Sequence, residues 1–104
     1  MAYARKVDKA QPAIVKGLRD CGFSVRVCSR LNDDGPDLII GKHGFDVQVE
    51  LKTLTGNKRP EDLLAEGQQE FRDNWRGSRV IVAADLEGVL FSFAMLTKSR
   101  GFVR

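Results

Sequence analysis

The sequence predicts an α/β sandwich: a central mixed sheet flanked by helices, with elements in the order α-β-β-β-α-β and an uncertain last element. Three observations predict it. An apolar stripe at helical spacing occupies the first twenty residues. Three short alternating or continuous apolar runs, separated by Gly, Pro, Asn and Asp, fill residues 23 to 52. A second helical stretch then leads into RVIVAA, a run apolar on both faces. With 104 residues the chain makes one domain over residues 1–104, with a single modest core. At 42% hydrophobic and 30% charged residues, its composition is that of a folded domain and not a disordered one.

Residues 5 to 20 place Val7, Ala10, Ile14, Val15 and Leu18 on one helical face. Pro12 means that the helix either begins near Gln11, with Pro in its first turn, or bends there. Cys21-Gly22 closes it. From Phe23 to Ser29 the chain alternates, with Phe23, Val25 and Val27 facing one way. LNDDGP (31–36) is a loop, and Asp37 to Ile40 and Phe45 to Lys52 are two further strands around Gly41-Lys42-His43-Gly44. After the loop at 55–62, residues 61–76 read as a helix carrying Leu63, Leu64, Phe71 and Trp75. Gly67 weakens that helix, which either spans the stretch or starts only there, and Gly77 is expected to cap it. Arg79 to Ala84 is the fourth strand. Residues 85–97 fit a helix or a last strand, with helix favoured.

Cys21 and Cys28 match no zinc spacing, and Cys28 reads as a small core residue. His43, the single histidine, sits in the turn between glycines, so a zinc site is not expected. No apolar run approaches the roughly 20 residues of a membrane span. MAYARKVDKAQPA lacks the apolar core of a secretory signal. A cytoplasmic location without membrane partners is the expectation. The net charge is +3 and unevenly spread. Residues 1–30 hold seven Lys and Arg against two Asp, whereas residues 31–56 hold two Lys against five acids. A basic segment beside an acidic patch suits a protein that grips an anionic polymer around a metal centre. A solvated basic helix fits the charge equally well.

The acidic patch carries the chemistry. On a strand, side chains two apart share a face. Phe45, Val47, Val49 and Leu51 therefore point to the core, and Asp46, Gln48, Glu50 and Lys52 point away. A two- or four-residue loop within 41–44 makes paired residue numbers sum to 85, which sets Asp37 opposite Gln48 and diagonal to Glu50 on the polar face. Converging carboxylates repel unless a positive charge lies between them. Lys52 supplies one; Mg²⁺, which takes one or two carboxylates, waters and a substrate phosphate, supplies more. The Leu51 backbone carbonyl is a further candidate ligand. A divalent cation there would lower a water's pKa and neutralise phosphate oxygens, with Lys52 orienting the water, taking its proton or stabilising developing charge. This is machinery for phosphodiester hydrolysis. The bland alternative is a turn cap at Asp37 and an exposed Glu50–Lys52 pair worth little.

These residues resemble the PD-(D/E)XK nucleases: Pro36-Asp37 is similar to the PD half of that motif and Glu50-Leu51-Lys52 to the ExK half. More narrowly, the chain resembles the small stand-alone VRR-NUC proteins of phages and bacteria, which are akin to Holliday-junction resolvases. The likeness covers about residues 5–84 and includes Asp8, Gln11, Ser29-Arg30, Gln68-x-x-Phe71 and Trp75-x-Gly77. It implies a restriction-endonuclease-like sandwich and a Mg²⁺- or Mn²⁺-dependent endodeoxyribonuclease of a bacterial or phage-infected cell. It implies metal ligation by Asp37 and Glu50, with Asp8 as a further candidate, Lys52 as the catalytic lysine and Gln68 in support. Arg30 is a candidate phosphate contact, together with Ser29, Gln11, Lys9, Lys58, Arg59 and Arg72. Other available cations are Arg5, Lys6, Lys16, Arg19, Arg26 and Arg76. Such contacts position nucleic acid without reading its sequence. Cleavage of branches, flaps or Holliday junctions in replication, recombination or repair is the expected activity, with a homodimer supplying paired incisions and VLFSFAML offering either interface or core. The alternatives are a DNA-binding accessory protein that does not cut and a restriction-type duplex endonuclease.

Overall fold

The computed structural model describes residues 10–28 and 35–99. Its elements are α1 (Gln11–Asp20), β1 (Ser24–Val27), β2 (Leu38–Lys42), β3 (Phe45–Leu51), a 3-10 turn (Pro60–Leu63), α2 (Glu66–Asn74), β4 (Ile81–Ala83) and α3 (Leu86–Ser99). The four strands form one sheet in the order β1-β2-β3-β4. The first two pairings are antiparallel and β3–β4 is parallel, so the chain between β3 and β4 has to cross over the sheet. The last element is a helix, the favoured one of the two expectations.

Pro12 lies in the first turn of α1, where its missing N–H costs nothing, and the helix starts there without bending. Gln11, Ile14, Val15 and Leu18 are its buried residues, one stripe at 3.6-residue spacing; Ala10 is exposed instead of sharing that stripe. The helix ends in a Schellman arrangement, with Phe23 N–H donating to Leu18 O and Gly22 N–H to Arg19 O, and Gly22 at φ +90°. Asp85 caps α3 through a 2.7 Å bond from Gly88 N–H to its Oδ1.

One face of the sheet presents Leu38, Ile40, Val47, Val49, Leu51, Ile81 and Ala83 to α1 and α3. Ile14, Val15 and Leu18 of α1 and Val89 and Phe93 of α3 complete this cluster. Phe23, immediately before β1, joins it edge-to-face with Phe93 at 4.9 Å. Val27, expected on the same face as Phe23 and Val25, is 43% exposed on the outer strand. Cys28 is buried but stands outside the apolar cluster, one residue past β1, where its N–H donates to Asp37 O.

Two expectations are corrected. The hairpin turn is His43-Gly44, with φ +57° and +82°, a type I′ pair, so Lys42 faces Phe45 and paired numbers sum to 87 instead of 85. Gly41 belongs to the strand, and a Cβ on it would meet Asp46 Oδ1 at 2.9 Å. Of the two alternatives for residues 61–76 the later start holds: α2 begins at Glu66, beside Gly67, and Leu64 and Ala65 are extended between it and the 3-10 turn. Gly77 does not cap α2; Trp75 is the residue at its end, in an extended conformation. Among the described residues no helix is long and apolar enough to cross a membrane.

Candidate active site

The second face of the sheet carries the acids. A register shift of two leaves every side chain on its expected face. Asp37 directly precedes β2, one step beyond the Leu38–Val49 pair, so continuing the ladder sets it across from Glu50 and not from Gln48. Its backbone is held on both sides: its N–H donates to Val49 O at 2.9 Å, and its C=O accepts from Cys28 N–H at 2.7 Å. Its carboxylate reaches into β3, where Oδ2 accepts from Leu51 N–H at 2.8 Å. Asp37 is 8% exposed and Glu50 5%. Two acids buried this deeply on neighbouring strands are costly without hydrogen bonds and positive charge nearby.

Gln68 on α2 supplies part of that compensation. Its Nε2 donates to Glu50 Oε2 at 2.8 Å, and its Oε1 accepts from Lys52 Nζ at 2.8 Å. The same oxygen accepts from Ala65 N–H at 2.9 Å, satisfying one of the unpaired amides at the start of α2. Lys52 Nζ lies 3.7 Å from Glu50 Oε2, its side chain 21% exposed. Lys52 is itself positioned by its N–H bond to Ala83 O on β4. The amide thus bridges acid and lysine and sets where α2 begins. A small recess beside them is lined by Gly35, Pro36, Glu50, Gln68, Phe71 and Arg72, among others.

The structure therefore brings Glu50, Lys52 and Gln68 into one hydrogen-bonded set and ties Asp37 to Leu51 inside the same segment. Asp8, Lys9, Ser29 and Arg30 lie outside the described residues, as do Arg5 and Lys6. Gln11, offered by the sequence as a nucleic-acid contact, is the first residue of α1 and is buried. Lys58 is exposed, in a turn closed by its N–H to Thr55 O. Arg59 pairs with Asp62, and Arg72 with Asp73 at 3.2 Å. The Arg59 hydrogen bond holds the Asp62 carboxyl below its usual range, and the same contact pushes the guanidinium up. Cys28 is buried, as expected of a small core residue; its position beside Asp37 follows only once the β1–β2 register is known.

Among the described residues no three His, Cys, Asp or Glu side chains converge as a ready-made metal cage. The donor set is two buried carboxylates, which suits a hard cation that keeps most of its waters and takes substrate oxygens, and does not suit zinc. Comparison of the chain with protein-family models, with curated proteins and with solved structures gives no match.

Proposed function

We propose that this protein is a metal-dependent DNA endonuclease of the PD-(D/E)XK type, with a restriction-endonuclease-like sandwich and a preference for branched or flapped DNA. The observation that carries the reading is the Glu50–Gln68–Lys52 bridge, with the Asp37 carboxylate anchored on the amide of Leu51 between them. An exposed ion pair would need none of this. Here both acids are buried, and a glutamine on a separate helix fixes the acid and the lysine together.

Asp37 and Glu50 would hold Mg²⁺ or Mn²⁺, with the Leu51 carbonyl as a further candidate ligand. When bound, the cation supplies Lewis-acid stabilisation of the phosphate and a more acidic water. The chain's own residues do the rest. Lys52 presents an ammonium where an attacked phosphate gains negative charge, and Gln68 Oε1 keeps it from swinging to solvent. Gln68 also fixes the plane of the Glu50 carboxylate, so that less reorganisation is required when substrate arrives. In the hydrolysis a water oxygen gives up a proton and bonds to phosphorus, the bond to the departing sugar oxygen breaks, and that oxygen takes up a proton from water.

The test is incubation of labelled four-way, flap and linear DNA with Mg²⁺ or Mn²⁺, with and without chelator, for wild type, Glu50→Ala and Lys52→Ala. Cutting that needs metal and disappears in both variants supports the reading; cutting that survives both substitutions would sink it. The lack of a third converging acid among the described residues favours a second reading, an accessory protein that binds DNA without cutting. Retained binding with no cleavage in either metal would select it.

A further inference from the structure

Beyond Gln68, α2 continues with two aromatics that the chemistry above does not use. Gln68, Phe71 and Trp75 fall at i, i+3 and i+7, so they line one side of the helix and its end. Phe71 lines the recess beside Glu50. The Trp75 indole stacks on it, with centroids 5.3 Å apart and planes at 18°. Residue 77 is glycine, and a Cβ there would lie 2.7 Å from Trp75 Nε1, so the missing side chain leaves room for the ring. Despite this support on one side, Trp75 is 48% exposed. Two cations stand beside it: Arg72, which lines the same recess and is paired with Asp73 at 3.2 Å, and Arg76, which follows Trp75 in the chain.

We propose that the Phe71–Trp75 stack is a platform for an unpaired nucleobase of the substrate strand, which would direct the nuclease to DNA with single-stranded nucleotides beside the cut phosphate. This rests on the nuclease reading and adds the substrate class to it. Inside a duplex both faces of a base are covered by its neighbours, and only an unpaired or splayed base offers a face to an aromatic ring. The distance is suitable. At about 1.5 Å per residue, Trp75 lies roughly 10 Å along α2 from Gln68. That is about three steps of a stacked strand at roughly 3.4 Å each. The guanidinium of Arg76, and that of Arg72 on exchanging Asp73 for a phosphate, supply the positive charge that the accompanying phosphates require.

Trp75 is the single tryptophan of the chain, so its emission reports the platform directly. In chelator, where no cutting occurs, an oligothymidylate strand should quench that emission to saturation, and a blunt duplex of the same length should not. By anisotropy of labelled strands, Trp75→Ala should weaken single-strand binding by about 5- to 150-fold, the loss of one stacked base, with duplex binding unchanged. Trp75→Phe should restore most of the affinity. Equal losses on single strand and duplex, or unchanged emission at saturating single strand, would overturn the proposal. So would emission that shifts with protein concentration alone, which would assign Trp75 to contact with a second copy. The nuclease reading fails separately: single-strand quenching in a protein that cuts nothing keeps the platform and removes the catalysis.

Discussion

Gln68→Ala is the substitution on which the site geometry makes its sharpest demand. It deletes the donor to Glu50 and the acceptor of Lys52 and of Ala65 N–H. Hydrogen bonds to charged partners contribute roughly 1.5–3 kcal/mol each, so the two charged contacts set an upper bound of about 3–6 kcal/mol. Part of this returns, because Lys52 Nζ already stands 3.7 Å from Glu50 Oε2 and can close on it, and because its partly exposed side chain admits water. A net loss of about 2–3 kcal/mol follows, read as a fall of roughly 1–2 M in the urea midpoint for a domain of this size. None of the residues of α2 is buried, so the polar anchor carries an unusual share of its docking. Amide exchange should therefore accelerate in α2 more than in β3. The decisive assay is a double-mutant cycle with Lys52→Met, in both urea unfolding and DNA cleavage. A coupling of about 1–2 kcal/mol is expected for residues in one network. Effects that add to within about 0.5 kcal/mol would refute the claim that Gln68 acts through Lys52.

Asp37→Asn keeps an acceptor for Leu51 N–H and should fold with a stability change under about 1 kcal/mol while losing cleavage; Asp37→Ala should cost a further 1–3 kcal/mol or so, by leaving that buried N–H unpaired, measured by thermal melting. His43 holds φ +57° in a turn that favours Asn-Gly, so His43→Asn should stabilise the hairpin by up to about 1 kcal/mol in urea unfolding. The Arg59 hydrogen bond lowers the Asp62 pKa from 3.8, so its stabilisation is present above pH 3.8 and is lost as pH falls through the lower folded value. Melts of wild type and Asp62→Asn should thus differ at neutral pH and converge in strong acid.

Much of this arrangement was legible in the sequence for a reason of parity. GKHG allows several loops, but every even-length choice puts Asp37 on the Glu50 face, so the site survives a register wrong by two. What the sequence could not decide was which adjacent pair would take positive φ; the structure assigns it to His43-Gly44 and leaves Gly41 to accommodate Asp46. Gly67 marks the late start of α2 in the sequence, but the contacts that decide it are tertiary. Gln68 is drawn to Glu50 and Lys52 on β3, and its Oε1 caps the amide of Ala65 at the same time. Local propensity contains neither contact. Gly77 misled for a similar reason, since a glycine after a helix usually reads as a cap and here makes room for an indole.

Burying Glu50 beside Lys52 is a poor way to stabilise a sheet whose neighbouring positions on that face include Ile39, Val80 and Val82. Desolvating two charges costs several kcal/mol, and apolar replacements of like volume are often neutral or better by about 1–4 kcal/mol. If the set is kept for chemistry, the combined variant Glu50→Leu, Lys52→Met and Gln68→Leu should unfold no more easily than wild type and cut nothing. Asp37 would retain its bond from Leu51 N–H in that variant. Each single change should be worse than the triple, since it leaves a buried partner without its counterpart. A triple variant destabilised by more than about 3 kcal/mol would mean that the ion pair and its amide bridge hold the fold together. The acids would then need no catalytic explanation.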